Sequence, residues 1–392
     1  MKYFFKFQIL IPLLLFTNCN EMEIQKPDLF QYLLLFSSPT SVGVISSDLG
    51  SGGRFKSFDP NSLTPSPTSV SIHSDAFGRF FNDRVFIVNR LNRDSIQVLN
   101  PNLNFLTVQD FSVGQGKNPQ DISYWNNKYY VALYNADSIP IYNSVTGLQQ
   151  GEISLTSYRE TFSSSGRPDA YLEIGAMIQH ESSLFVTIQR LDRNDVSGYF
   201  PPNSESLLLE IDMNLDQVIR AYTFPIRNPS GRIYKKNIFG EPHLLFSCVA
   251  FVGFLSKNDG GILAFNLRTK SFRPDPLFLE STASGDILNF QIKDENMGFA
   301  IVLDGSFKKS IQAFRPTNGE KIGVLLDIPG TTGITLNGLV LTADGKLIVG
   351  VTDFKNPGLN VYDTNQGNVL LSPTPISVDL TPLDIFQLQN PD

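Results

Sequence analysis

The chain has 392 residues, a formal net charge of −7 and a pI near 5.1, which argues against nucleic acid as its partner, since phosphate backbones are held by basic patches. Hydrophobic residues make up 41% and charged residues 18%, enough apolar material to bury a core and too little charge for a disordered polyelectrolyte. Phe (31) outnumbers Ala (12), a balance that favours strands over helices, while 29 Gly and 24 Pro supply frequent turns.

The chain opens MKYFFKFQILIPLLLFTNC. Lys2 and Lys6 form a short positive region, and the apolar run from Phe7 to Phe16 is interrupted only by Gln8 and Pro12. That run falls well short of the ~20 residues a membrane-spanning helix needs and fits the apolar segment of a secretory signal, residues 1–18. Cys19 follows at once, ahead of polar Asn20, Glu21 and Glu23. A cysteine at this place resembles a lipoprotein signal. Phe16 and Asn18 stand where the strict bacterial lipobox has Leu and a small residue, and the departure resembles the relaxed lipobox of spirochaete lipoproteins. The resemblance implies a diacylglycerol on Cys19, a tether over 19–39 and a folded part over 40–392, held on a membrane through its lipid. It implies a cell-envelope location, read here as the outer membrane, on its surface or periplasmic side. Cys248, the one other cysteine, sits in the apolar run HLLFSCVAFVG and reads as a core thiol, with no partner for an internal disulfide.

The body of the chain repeats. VFIVNRLNRDSIQVLNPN (85–102) aligns with YYVALYNADSIPIYNSV (129–145), each an apolar strand, a polar turn and a second strand ending in a polar turn residue. That residue recurs as Asp59, Asn100, Asn143, Asp212, Asn266, Arg315 and Asp363, at intervals of 41, 43, 69, 54, 49 and 48 residues. A period of ~40–50 residues built of short strands is that of propeller blades. With strands lettered a to d from the axis outward, the paired runs are b and c, NFLTVQDFSV (104–113) is a strand d and PQDISYW (119–125) a strand a. The first unit begins at b, SVGVISS, and one strand, PLDIFQLQ (382–389), is left over at the other end. The expected fold is therefore all-β: a seven-bladed propeller of four-stranded blades, with the C-terminal strand completing the N-terminal blade and closing the ring. Ile87-Val88-Asn89, Asn100-Pro101, Val113-Gly114 and Pro119-Gln120-Asp121-Ile122 resemble a surface-layer, YVTN-type β-propeller repeat. Together with the N-terminus, the chain looks like uncharacterised bacterial propeller lipoproteins, a resemblance that carries no reaction.

A propeller is a frame, so chemistry has to be sought separately. His73, His180 and His243 fall in different blades and on different faces, and no metal site is expected. GQGKNP (114–119) lacks the rest of a phosphate loop, and SSDLGSGG (46–53) is half of an Asp-box that does not recur. LDRND (191–195) and KDEN (293–296) read as solvated acidic turns. No cofactor is expected. Asp121 (PQDI) and Asp286 (GDIL) begin innermost strands and are the candidates for facing the central channel.

The longest interval, 69 residues, has its surplus in two connections: 156–173, which leads from strand d into strand a of blade 4, and 191–205, the b–c turn of that blade. Strand alternation puts both on one face. Arg159, Arg167, Asp169, Asp192, Arg193, Tyr199 and Phe200 make them the candidate binding surface. The reading that follows is a monomeric, lipid-anchored binding or scaffold propeller for a protein or glycan, without a reaction of its own. The alternative is a propeller hydrolase, lactonase or lyase with a carboxylate–arginine site at the channel. Labelling with a fatty-acid analogue is expected to mark the wild-type chain and to spare Cys19→Ala; equal labelling of both would rule out lipidation at this residue.

Overall fold

The computed structural model describes residues 41–162, 169–251, 257–328, 335–353 and 355–389. Cys19, the signal, the tether and Arg167 lie outside them. Strands b and c of each unit are apolar on both faces: in Arg84–Asn89 and Ser95–Asn100, nearly every residue is buried. Such strands must be covered on both sides, as in a stack of sheets. The outer strands, such as Leu106–Ser112 and Gln149–Ser154, leave most side chains in water.

Seven antiparallel sheets result. Blade 2 runs outward through Ala76–Phe81, Arg84–Asn89, Ser95–Asn100 and Leu106–Ser112, and blade 3 through Pro119–Trp125, Lys128–Leu133, Ser138–Asn143 and Gln149–Ser154. Blade 4 comprises Ile174–His180, Ser183–Ile188, Leu207–Asp212 and Gln217–Thr223. Blade 6 comprises Asp286–Asp294, Met297–Leu303, Lys309–Arg315 and Glu320–Ile328. Blades 1, 5 and 7 have split or shortened outer strands. Blade 5 follows Pro229–Ile238, Glu241–Cys248 and Gly261–Asn266 with two short pieces, Ser271–Phe272 and Phe278–Leu279. Blade 7 follows Thr335–Leu341, Lys346–Thr352 and Gly358–Asp363 with Val369–Leu370 and, beyond the prolines, a single bridge from Ile376 to Leu359. The cause is a Pro-x-Pro pair in each: Pro65 and Pro67, Pro274 and Pro276, Pro373 and Pro375. Proline donates nothing to a ladder, so it is tolerated only at such an edge, where it also discourages pairing with other chains.

The repeat markers are the last residues of strand c in all seven blades. In six of them the side chain accepts a backbone N–H two residues on, as Asp59 does from Asn61 (2.9 Å), Asn100 from Asn102 (3.0 Å) and Asp212 from Asn214 (2.8 Å). These are Asx turns, which bend the chain from c to d. Arg315, which has no acceptor to offer its own backbone, pairs instead with Glu320 across the turn. The a–b turns of blades 2 and 3 use Asn82-Asp83 and Asn126-Asn127, all four with positive φ, as a two-residue hairpin requires.

The ring closes as expected. Thr381–Gln387 pairs antiparallel with Val42–Ser47 and forms the innermost strand of blade 1. Phe386 on this strand packs against glycines of two blades: a Cβ on Gly43 would lie 2.4 Å from its ring, and one on Gly78 1.9 Å. Among the described residues there are seven apolar clusters, one between each pair of neighbouring blades. Two of them, at the 7–1 and 1–2 contacts, include Ile385 and Phe386 from the C-terminal strand. Deleting 381–392 is therefore expected to leave Val42–Ser47 unpaired and both clusters open, so that the protein aggregates or loses cooperative unfolding in a urea titration; a truncated chain that melts like the full one would mark this strand as dispensable.

Candidate functional site

The loop face carries the d–a connections and the b–c turns. On it, carboxylates fasten neighbouring connections to one another. Asp94, just before strand c of blade 2, is buried and accepts from the N–H groups of Gly116 (2.8 Å) and Asn118 (2.7 Å) in the next connection. Asp137, its counterpart in blade 3, pairs with Arg159. Glu280 accepts from Gly260 N (2.8 Å) and Ile287 N (2.9 Å), tying the b–c turn of blade 5 to the start of blade 6.

The two long connections of blade 4 are joined in the same way. Arg193 lies between the rings of Tyr134 and Tyr171, 4.8 Å from each centroid, and its Nε is 2.6 Å from Oε1 of fully buried Glu173. The approach is close but poorly directed, and Oε1 receives no well-aligned hydrogen bond. The other oxygen, Oε2, accepts from Leu191 N at 2.9 Å. Burial outweighs these contacts and pushes the Glu173 carboxyl up to about 7. Asp169 is buried and accepts from Tyr171 N (3.2 Å) and Arg193 N (3.4 Å). Asp192, with no exposed surface, accepts from Asn194 N (3.2 Å) and Asn203 Nδ2 (3.1 Å). Of the residues expected to grip a partner, Asp169, Asp192 and Arg193 thus hold the loops' own shape, and Arg159 sits at the flank in its pair with Asp137.

The outward part of the 191–205 loop is its tip. Val196 is 99% exposed, Tyr199 59% and Phe200 45%. Beside it runs a groove of about 740 Å³ between blades 4 and 5, lined by Tyr199, Pro201, Pro202, Arg227, Phe251 and Lys257 among others. Arg227 Nη1 donates to Pro202 O at 3.0 Å, and Lys257 Nζ lies 4.4 Å from the centre of the Phe251 ring. Asp195 and Asp259 also line the groove, and a locked base, an exposed tip and a cleft with charges of both signs suit recognition more than chemistry. The Phe251 side of the groove carries no surplus in the repeat interval large enough to single it out.

At the axis, Asp121 is fully buried. Arg79 donates to it through Nε (2.6 Å to Oδ1) and Nη2, and Ile122 N (2.8 Å) and Met177 N (2.7 Å) donate as well. The second channel carboxylate is Asp384 of the closing strand, which accepts from Arg232 Nη2 (2.5 Å) and Gly78 N (2.9 Å). The Arg232 guanidinium lies 3.8 Å from the centre of the Phe77 ring. Asp286, the other sequence candidate, opens the inner strand of blade 6 beneath the loop face; its charge, together with burial, helps push Glu280 up to about 7. Sequence reasoning missed Asp384, Arg79 and Arg232. The signal was available: Pro382-Leu383-Asp384-Ile385 repeats Pro119-Gln120-Asp121-Ile122, and Gly78-Arg79 matches Gly231-Arg232. His243 stands in strand b of blade 5 and is buried, and Cys248 in the same strand has its thiol pushed well up by burial. Among the described residues no three His, Cys, Asp or Glu side chains come together as a metal site.

No family model matches the chain, and no curated protein matches it in sequence. Solved structures do. Dihydro-heme d1 dehydrogenase NirN in complex with DHE superposes with a TM-score of 0.56 at 12% identity, over 89% of this chain and 75% of that one. Apo AztD from Citrobacter koseri gives 0.52 at 12% identity over 89% and 98%, and hydrazine synthase from Kuenenia stuttgartiensis 0.50 at 12% over 81% and 94%. The likeness shows the propeller fold alone.

The raised carboxyls have a measurable consequence. Glu173 and Glu280 titrate near 7 in the folded protein against an ordinary value of 4.5, so between those pH values the folded state holds protons that the unfolded chain has shed. Their contribution to stability is therefore greatest below pH 4.5 and is lost as pH rises to about 7. In urea titrations, Glu173→Gln/Glu280→Gln is expected to gain relative to wild type across that window; stability curves that stay parallel would show that neither carboxyl is shifted.

Proposed function

We propose that the protein is a lipid-anchored binding module of the cell envelope, attached to the outer membrane through Cys19 and taking a protein or glycan on its loop face. The observation that carries this reading is the combination on blade 4 of a base locked by Asp192, Arg193 and Glu173 with an exposed Tyr199–Phe200 tip beside a groove. A preorganised base lets the aromatic tip meet a partner without first paying to order the loop. Aromatic rings of this kind stack on sugar faces and on apolar side chains alike, and Arg227 and Lys257, with Asp195 and Asp259, offer charges of both signs to polar groups on the partner.

The alternative, a hydrolase, lactonase or lyase at the channel, has in its favour that two carboxylates and two arginines meet at the axis. Against it stands the engagement of Asp121, whose two oxygens already accept from Arg79, Ile122 N and Met177 N. A carboxylate so held has no lone pair directed at a substrate proton.

Tyr199→Ala/Phe200→Ala is expected to weaken binding of partners recovered by pull-down or glycan array tenfold or more, about 1.4 kcal/mol, with little change in melting temperature because both residues lie outside the apolar clusters between blades. Undiminished binding by this variant would remove the loop tip from the partner surface.

A further inference from the structure

The opposite face, built by the a–b and c–d turns, holds the mouth of the central channel. There the seven innermost strands enclose a cavity of about 470 Å³, within the usual size of small-molecule sites. Its lining includes apolar Phe81, Met177, Ile292 and Phe386, at the inner margins of the clusters between blades, and the amides of Gln179, Gln291, Gln387 and Gln389. Five cationic side chains line it: Arg79, Arg232, Lys235, Lys236 and Lys293. Among the described residues no carboxylate does.

The charges do not all cancel. Arg79 and Arg232 form the floor and are neutralised there by Asp121 and Asp384. Lys293 donates to Thr364 O (3.0 Å) and Asn365 Oδ1 (2.9 Å), neutral acceptors that position it and leave its charge in place. Lys235 and Lys236 make no ion pair within 4.0 Å among the described residues; the acid nearest in effect is exposed Asp294, at the end of the neighbouring inner strand, which acts on Lys236 through space. In a chain of net charge −7, three lysines outside any ion pair at one concave mouth concentrate positive potential where low-dielectric walls strengthen it.

We propose that this mouth is a binding site for a small organic polyanion, with an apolar body seated against Phe81, Met177 and Phe386 and two or more carboxylates or phosphates meeting Lys235, Lys236 and Lys293. It lies on the face away from the blade 4 loops and is independent of the partner surface proposed there.

The trisulfonated dye pyranine, a flat apolar body with fixed negative charges, is a direct probe. Fluorescence anisotropy with the full-length protein is expected to show one saturable site, weakened tenfold or more in Lys235→Gln/Lys236→Gln and kept in Lys235→Arg/Lys236→Arg, with all three proteins melting alike. Displacement by citrate or by tripolyphosphate supports the site and separates carboxylate from phosphate preference. Tyr199→Ala/Phe200→Ala should bind the dye as wild type does. Absence of saturable binding, equal binding by the glutamine variant, or loss of binding in the loop-tip variant would each overturn the assignment.

Discussion

Each blade presents two apolar faces, and a sheet that is apolar on both sides is stable in water only when both neighbours are present. Strands b and c are buried almost throughout, so the first blade needs the last as much as it needs the second. A row of such sheets ends in two exposed apolar faces unless it curves back on itself. The C-terminal strand meets that requirement by pairing with Val42–Ser47 and sending Phe386 into space that Gly43 and Gly78 leave free. Covalent order and spatial order thus differ at one blade, and that blade joins the two ends of the folded chain.

Closure also organises the axis. Asp384 arrives on the closing strand and pairs with Arg232, across the channel in blade 5, while its oxygen takes the Gly78 N–H of blade 2. Asp121 links blades 2, 3 and 4 in the same manner. Buried ion pairs are costly to desolvate and of little net worth to stability, but an unmatched member is severely destabilising, which favours one register of the inner strands over its alternatives. The lattice separates the two faces of the ring. One bears long connections clamped by buried carboxylates and tipped with exposed aromatics; the other opens into a cavity rimmed by lysines.

Much of the frame was legible because its causes are local. The Asx turns at Asn100, Asn143 and Asp212 need only a short polar side chain and its own backbone, so they appear in the sequence as a repeat. Period-long spacing and the unpaired strand at 382–389 then imply blade number and closure. Outer strands were less legible: Pro373 and Pro375 interrupt that of blade 7, leaving Val369–Leu370 and an isolated bridge at Ile376.

The candidate sites divide along the same line. The length of the two blade 4 connections and their common face follow from the repeat, so the chain alone directs attention there. It does not say which side chains turn inward. Arg193 and Tyr199 are both plausible grips in a list of loop residues, yet one is enclosed by Tyr134, Tyr171 and Glu173 from other segments and the other is more than half exposed. The cationic mouth is further from view, since Lys235 and Lys236 on one strand and Lys293 on another, more than a blade away in sequence, are ordinary strand-end lysines until closure brings seven inner strands to one axis. Turn chemistry and periodicity are short-range and survive in the order of residues; burial and electrostatic neighbourhood are set by contacts between segments distant in that order, and exist only once the ring is formed.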